Sequence, residues 1–483
     1  MIDNDALISE VQMKNLNSFK KKFKPSDLKT VEIRFANQEL TLLRNNLLKD
    51  LSKEYFACLL AKRSIVKDLC VYTVVEAVYP DLDVYKNQEG ASLRVDGKFM
   101  RKVLLDIDRR IDVDTVIDVH THPFASANAW FSGTDDNDES NFVKFLNKES
   151  GDIHYASIVL TQSSYKARAW EIDGHGKAIH LPAFIKTQKV SERISSPDAP
   201  SFQDNITDDM DDMFNRSVLA LGLENMRLIA NGQKISIVGV GGIGSIIAEH
   251  LIHMGFTEIS LIDFDALELS NMNRIVGVTY DDALKKRLKV DAIKDSLKSI
   301  NPNAKITTYP LNVFDEEIEY VLAKSDWIFI ATDNHASRYR IQQVAFKYYV
   351  PFIAAGVNIT VSNDVITDMS GEVILIRIGD RVCLTCLKRI NFNEVAKELH
   401  PDEAVRVGLV AKGYVKGRDI KEPAVKTLNT YIATMAVDTL VNQYTERRKD
   451  SVILVYEDNE YPTIYEDKTS IENRNCSCSV CRI

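Results

Sequence analysis

Cysteine is scarce in this chain and poorly placed for disulfides. There are seven, an odd number, and none lies between Cys70 and Cys383. That spacing excludes the small disulfide-stapled secreted class. Proline (12) and glycine (20) are too few among 483 residues for a collagen-like or low-complexity chain. Basic excess is lacking too: 60 Lys and Arg face 69 Asp and Glu, for a net charge of −9. No basic surface therefore advertises nucleic acid. No apolar run approaches the roughly 18 residues of a membrane helix, and the polar start MIDNDALISE has no signal-type apolar stretch. The expectation is a soluble, cytoplasmic protein without nucleic-acid or membrane partners. Its 45% hydrophobic content suffices for full cores.

Length alone suggests about three domains, at roughly 150 residues each. Texture reduces that to two large ones of α/β class. Residues 1–30 read as an extension with a basic run, Lys20 to Lys24. Residues 31–185 mix short strands and helices, among them YTVVEAVYP (72–80), TVIDVH (115–120) and a hairpin over 155–172. Residues 186–213, with SSPDAPS and the acids Asp208, Asp209, Asp211 and Asp212, read as a polar linker. From 214 to 483 the pattern becomes strand–turn–helix. The runs ISIVGV (235–240), EISLIDF (258–264) and WIFIAT (327–332) suit strands buried on both faces of a parallel sheet. Residues 245–255 and 283–300 read as helices.

In the first half the sharpest cluster is His120-Thr-His122-Pro, followed by Ser132-Gly-Thr-Asp135. Two histidines two residues apart at a strand end point the same way, so both rings can reach one ion. Asp135 adds an oxygen ligand and leaves a tetrahedral position open, the mark of a catalytic zinc. Zinc in such a site lowers the pKa of a water to about 7. A general base and an oxyanion donor are then needed, and Ser132 suits the donor role. Trp130, between the ligands, either lines a substrate groove or anchors its loop.

These residues resemble the JAB/MPN (JAMM) metalloprotease family, over about 31–185. The resemblance implies an α+β metalloprotease-like domain and a catalytic glutamate upstream of a small-residue pattern. Glu54, before Ala57 and Ala61, fits that pattern with alanines in place of two glycines, and Glu76 is the fallback. Cys58 and Cys70 read as buried small hydrophobes.

In the second half, Gly239-Val-Gly241-Gly242-Ile-Gly244 follows a strand and opens a helix. Such a turn lets backbone approach phosphate at a helix N-terminus. Asp263, at the end of the next strand, stands where an acid binds a ribose hydroxyl. To this point NAD and ATP fit equally. Asp265, Asn271, Arg274, Lys289 and Asp333 then tip the balance towards ATP. A reaction that expels pyrophosphate needs cations on the triphosphate and an acid for Mg²⁺, which a redox cofactor does not.

This set resembles the ThiF/MoeB and ubiquitin-activating superfamily, over roughly 214–483, which adenylates the C-terminal glycine of ubiquitin-like or sulfur-carrier proteins. The resemblance implies a Rossmann-like domain with Asp263 on ribose, Asn271, Arg274 and Lys289 on phosphates, and Asp333 on Mg²⁺. It further implies a homodimer through this domain, with Arg216 reaching the partner's ATP. Ile275 stands where glutamine is common. Cys383-x-x-Cys386 and Cys478-x-x-Cys481 have the spacing of a four-cysteine zinc site. In the family that zinc is structural. Cys476 is the spare thiol, and between Cys386 and Cys476 no other stands where the superfamily carries its thioester cysteine. His250 and His253 lack a third ligand in sequence and read as packing or surface.

Together these readings imply a bifunctional enzyme of a ubiquitin-like pathway. One half adenylates the C-terminus of a β-grasp protein with ATP and Mg²⁺; the other cleaves after that C-terminus using Zn²⁺. A separate conjugating enzyme would supply the thiol, and the fusion resembles components of bacterial ubiquitin-like conjugation operons, some of them implicated in antiphage defence. The alternatives are sulfur-carrier activation for thiocarboxylate formation, and a first half that only binds the carrier.

Overall fold

The computed structural model describes residues 27–89, 92–125, 128–198, 208–230, 232–400, 423–474, 478, 480 and 481. Cys476, most of the 391–423 loop and the Lys20–Lys24 run lie outside them. Among the described residues no helix is long and apolar enough to cross a membrane.

The first unit is a closed barrel in the order β1-β3-β2-β6-β7-β8-β9. Its strands are β1 (Thr30–Arg34), β2 (Phe56–Val66), β3 (Leu69–Val78), β6 (Thr115–Thr121), β7 (His154–Leu160), β8 (Tyr165–Ile172) and β9 (Ala178–Lys186). A separate ribbon, β4 (Tyr85–Glu89) with β5 (Ser92–Val95), sits outside it. Short β1 closes the barrel by running parallel to both β3 and β9, which leaves the sheet no free edge. Aliphatic residues of β1, β2, β6 and β7 fill the interior, with Ile33, Leu59, Ile117 and Ile158 fully buried. Helices Gly97–Asp108 and Gly133–Glu149 pack outside, over Val103, Ile107, Val143 and Leu146.

The second unit is an eight-stranded sheet in the order β12-β11-β10-β13-β14-β15-β16-β17. β10 (Lys234–Val238), β11 (Glu258–Ile262), β12 (Lys305–Tyr309), β13 (Trp327–Ile330) and the start of β14 (Phe352–Ser362) run parallel. β15 (Val365–Ile376), β16 (Ile453–Asp458) and β17 (Pro462–Glu466) extend it antiparallel. The expected near-continuous apolar runs are the central strands, and all four residues of β13 are buried. Chain order reverses between β10 and β13. In open α/β sheets such a reversal is where ligands bind, beyond the carboxyl ends of the strands.

One expectation needs correction. The single helix read over 283–300 is two, Tyr280–Leu284 and Lys289–Ile300. Lys286 at φ 49° and extended Leu288 break it, and Leu288 instead bridges Ala266. The described start of the 186–213 segment, read as a polar linker, is anchored to both units. Gln188 and Glu192 are each 6% exposed, and Asp208 already begins helix Asp208–Leu221. Gln188 donates to the Phe35 and Ile378 carbonyls, while Glu192 accepts from the Gln38 amide at 2.8 Å. These polar side chains bond backbone of both units, although Glu192 Oε2 stays buried without a partner among the described residues.

Candidate functional sites

The first candidate site sits where β6 ends. Pairing with β2 places His120 opposite Phe56, and one residue beyond β6 the His122 amide bonds the Leu160 carbonyl at 2.8 Å. The two imidazoles lie 5.1 Å apart. Asp135 arrives on helix Gly133–Glu149, whose N-terminus is fixed by a capping box. The Ser132 hydroxyl accepts from the Asp135 amide at 3.2 Å, and Asp135 Oδ2 accepts from the Ser132 amide at 2.6 Å. That leaves Oδ1 free to face His120 Nε2, 3.8 Å away. One ligand atom from each of His120, His122 and Asp135 lies within 4.8 Å of the others.

Two observations test whether a metal fits this donor set. His120 Nε2 and His122 Nδ1 are buried without a hydrogen-bond partner among the described residues. Burial lowers the pKa of both imidazoles, His120 to about 4, so both are neutral and able to donate lone pairs. Two imidazoles and a carboxylate are the ligand set of catalytic zinc. Glu54, 6% exposed, sits beside them with Oε1 4.0 Å from His122 Nε2. Burial, and then Asp135, push its carboxyl up to about 7. Glu76 instead pairs with Arg110 at 2.6 Å, so Glu54 is the acid at the cluster. Trp130 and Phe124, both exposed, pack against His122 at 5.0 and 5.5 Å and rim the site.

The second candidate site is the crevice between β10 and β13. Its glycines divide by what surrounds them. Gly239 has φ 85°, and a Cβ there would lie 2.8 Å from the Ala331 carbonyl. A Cβ on Gly244 would come within 1.9 Å of the Gly239 carbonyl, and one on Gly242 within 2.4 Å of Asn429 Nδ2 and 3.2 Å of Arg274 Cδ. Gly241 alone of the four has nothing within 4 Å. Three glycines thus admit close approach of neighbouring protein atoms, while the fourth faces open space.

Asp263 is held at the end of β11. Its carboxylate accepts from the Val240 and Asp265 amides, both at 2.9 Å, and Lys289 Nζ lies 3.8 Å away. Burial raises its pKa against the pull of Lys289. Lys289 reaches this corner because the helix breaks before it, and it donates to Asp265 at 2.8 Å. Asn271 is buried and bonds the Glu268 amide; Arg274 donates to the Ser270 carbonyl at 2.7 Å. Asp333 is exposed directly beyond β13, on the loop that abuts Gly239. Arg216 is exposed on helix Asp208–Leu221. No described hydrogen bond or ion pair ties it to the crevice.

Sequence reasoning missed Arg338. Its Nε donates to the Thr332 carbonyl at 3.0 Å, and a Cβ on Gly356 would meet its Nη2 at 3.0 Å. A half-buried cation beside the Asp333 loop has no sequence signal beyond its place on the helix that follows.

The cysteine pairs converge. Cys383 and Cys478 sulfurs are 3.5 Å apart and Cys386 and Cys481 sulfurs 3.9 Å, with all four residues buried. Those distances exclude disulfides, whose sulfurs lie about 2.05 Å apart. They suit the edge of a tetrahedron with metal–sulfur bonds of about 2.3 Å. Cys58 and Cys70 are buried core residues, and His250 bonds Thr434.

A parallel sheet with a glycine turn at its switch point defines the second unit as a Rossmann-like α/β domain. Residues 214–480, more than half of the chain, match the ThiF family, and the chain belongs to that family. Molybdopterin-synthase adenylyltransferase of Escherichia coli K12 is 28% identical over 179 residues, covering 37% of this chain and 68% of that protein. Ubiquitin-like modifier-activating enzyme 5 of Oryza sativa is 29% identical over 190 residues, covering 34% and 41%. The chain therefore spans less than half the length of the plant relative. Among solved structures, E. coli MccB with ATP aligns at TM-score 0.44 and 19% identity, over 56% of this chain and 74% of that one.

Proposed function

We propose that the chain is a two-site enzyme acting on the C-terminal tail of a ubiquitin-like or sulfur-carrier β-grasp protein. The 214–483 domain adenylates that tail. A carboxylate oxygen of the tail attacks the α-phosphorus of ATP, an acyl-adenylate forms and pyrophosphate leaves. The observation that carries this half is Gly241, turned to open space among glycines that are otherwise packed. Phosphate approaches there, at the start of helix Gly244–His253. Asp263 receives the ribose, Asn271, Arg274 and Lys289 line the phosphates, and Asp333 holds Mg²⁺. Lys289 would have to exchange its Asp265 contact for phosphate, a short swing about one side chain. Arg216 acts on the ATP of a second copy in a homodimer.

The 31–185 domain, read as JAB/MPN-like, cleaves after the same tail. The orphaned nitrogens of His120 and His122 support this half. His120, His122 and Asp135 would hold a zinc, which would supply an activated water when bound. Glu54 takes and returns the proton, while Ser132, whose oxygen already caps the helix, keeps its hydroxyl hydrogen to donate to the carbonyl oxygen. A second zinc, held by Cys383, Cys386, Cys478 and Cys481, ties the C-terminal segment to the sheet. Thioester chemistry falls to a separate conjugating enzyme. A sulfur-carrier substrate is the second reading, favoured by the activity named for the bacterial relative. No residue used here bears on an antiphage setting.

ATP–pyrophosphate exchange stimulated by glycine-tailed β-grasp proteins tests the first half; background rates with every such protein would refute it. Cleavage of a tail fusion, abolished in His120→Ala, tests the second. Thiocarboxylate product without conjugates would select the sulfur-carrier reading.

A further inference from the structure

We infer that Arg168 is a positioning residue for the His120–His122–Asp135 centre. The inference rests on the metal reading above and adds to it a residue outside the ligand set. Arg168 lies on β8 opposite Ser157 of β7, which in turn faces Asp118 of β6. Its side chain is 5% exposed, deep between the sheet and helix Gly133–Glu149. There the guanidinium grips the helix at two points. Nη1 donates to Asp136 Oδ1 at 2.5 Å, and Nε donates to Glu139 Oε2 at 2.9 Å. Glu139 also accepts from Ser157 Oγ at 2.5 Å and Trp170 Nε1 at 2.6 Å, so its own place is fixed by β7 and β8.

Asp136 and Glu139 are three residues apart, on one helix face, and Asp135 precedes them in the same first turn. A planar fork held by two such acids sets both the rotation of the helix and its height above the sheet. That fixes where Asp135 stands. The same guanidinium lies 3.7 Å from the Phe131 ring centroid, and Phe131 meets the His120 ring edge-on at 6.4 Å. One side chain therefore braces the elements that carry two of the three ligands. Its Nη2 stays buried without a partner among the described residues. The guanidinium is thus placed by the acids and the ring rather than by saturation of its donors. Outer groups of this kind orient metal ligands, and losing them typically weakens metal binding 10–100-fold.

Zinc retention by the full-length chain under graded chelator tests this, with His120→Ala defining the share that belongs to this centre rather than to the cysteines. Arg168→Lys keeps the charge but cannot span both acids. Asp136→Asn removes the exposed half of the grip and leaves the core intact. The expected result is a loss of zinc affinity at this centre of about 10–100-fold in Arg168→Lys and about 3–10-fold in Asp136→Asn, with cysteine-bound zinc unchanged. Two folded variants that hold this zinc within about twofold of the wild type would overturn the inference. A wild-type chain that binds no more zinc than His120→Ala would overturn the metal reading itself, and the inference with it.

Discussion

The glycine turn permits one methyl group to be used as a probe with opposite outcomes at neighbouring positions. In Gly244→Ala the new Cβ would sit 1.9 Å from the Gly239 carbonyl oxygen. Ordinary contact begins near 3.4 Å, so strand end and helix start must separate by about 1.5 Å, and the obstacle is backbone rather than a flexible side chain. Overpacking of this kind costs about 1–3 kcal/mol or more. For a domain of this size that lowers Tm by roughly 3–10 °C. In Gly241→Ala the Cβ meets no protein atom within 4 Å, and the residue is not among those with positive φ. Its stability should hold or rise by about 0.4–1 kcal/mol through a less flexible unfolded chain. If triphosphate docks against Gly241, however, that methyl blocks the amides, and losing one or two charge-assisted hydrogen bonds weakens ATP binding by about 10–100-fold. Thermal unfolding without nucleotide, and ATP affinity by calorimetry, separate the two effects. Wild-type ATP affinity in Gly241→Ala would refute the phosphate assignment. Wild-type stability in Gly244→Ala would refute the packing argument.

Three further outcomes follow from buried charge and metal. Arg34→Met should cost about 3–5 kcal/mol in denaturant unfolding, because it strands half-buried Glu32 and the Tyr348 and Ala323 carbonyls; a loss under about 1 kcal/mol would refute the anchor role. Glu39 has its pKa raised to about 7, first by burial and then by Glu192. The folded chain therefore keeps a proton that the unfolded chain releases above about pH 4.5, and stability falls as pH rises from there through 7. Glu39→Gln should remove that slope and gain about 2–3 kcal/mol at pH 8, measured as a pH series of unfolding midpoints; parallel series would contradict it. Cys478→Ser should lose about one zinc per chain by elemental analysis, and unchanged metal content would exclude the four-cysteine site.

Much of both sites was legible because their residues follow apolar strands closely. TVIDVH announces β6 by its alternation, and the histidines at its end inherit a position from that strand. ISIVGV does the same for the glycine turn. The Ser132–Asp135 spacing, read as a donor and a ligand, proved also to be a capping box, so one pair of residues both starts the helix and aims the carboxylate. Nothing in the sequence gives a reason for where Lys289 stands. Helical periodicity runs through residues 283–300, yet Arg287 bonds Asp282 and Asp295, and the Lys289 amide bonds the Asp265 carbonyl. These tertiary contacts outweigh the local preference for one continuous helix. Arg168 was passed over because a charged residue within a strand that alternates small and large residues ordinarily points to solvent.

The junction was the least legible part, for a single physical reason. Arg34, Gln188 and Glu192 are residue types that composition assigns to solvent, but each is buried against main chain of the facing unit or of its own. Arg34 donates to Tyr348 and Ala323, two residues far along the chain that nothing in the local sequence connects to it. Around these bonds the apolar cores run together: Ala36, Val66, Leu69 and Val71 of the barrel pack in one cluster with Phe346, Tyr348 and Ile376 of the sheet. Tyr349 and Tyr320 add hydrogen bonds to Val74 and Asp68 across the same boundary. A boundary with a shared core and hydrogen bonds that cross it resists the hinge motion that a free linker allows. Under the proposed activities, a tail that both sites handle must leave one crevice to enter the other, because the units do not close upon it. Adenylation and cleavage are then competing fates of one released tail, set by its affinity for each crevice.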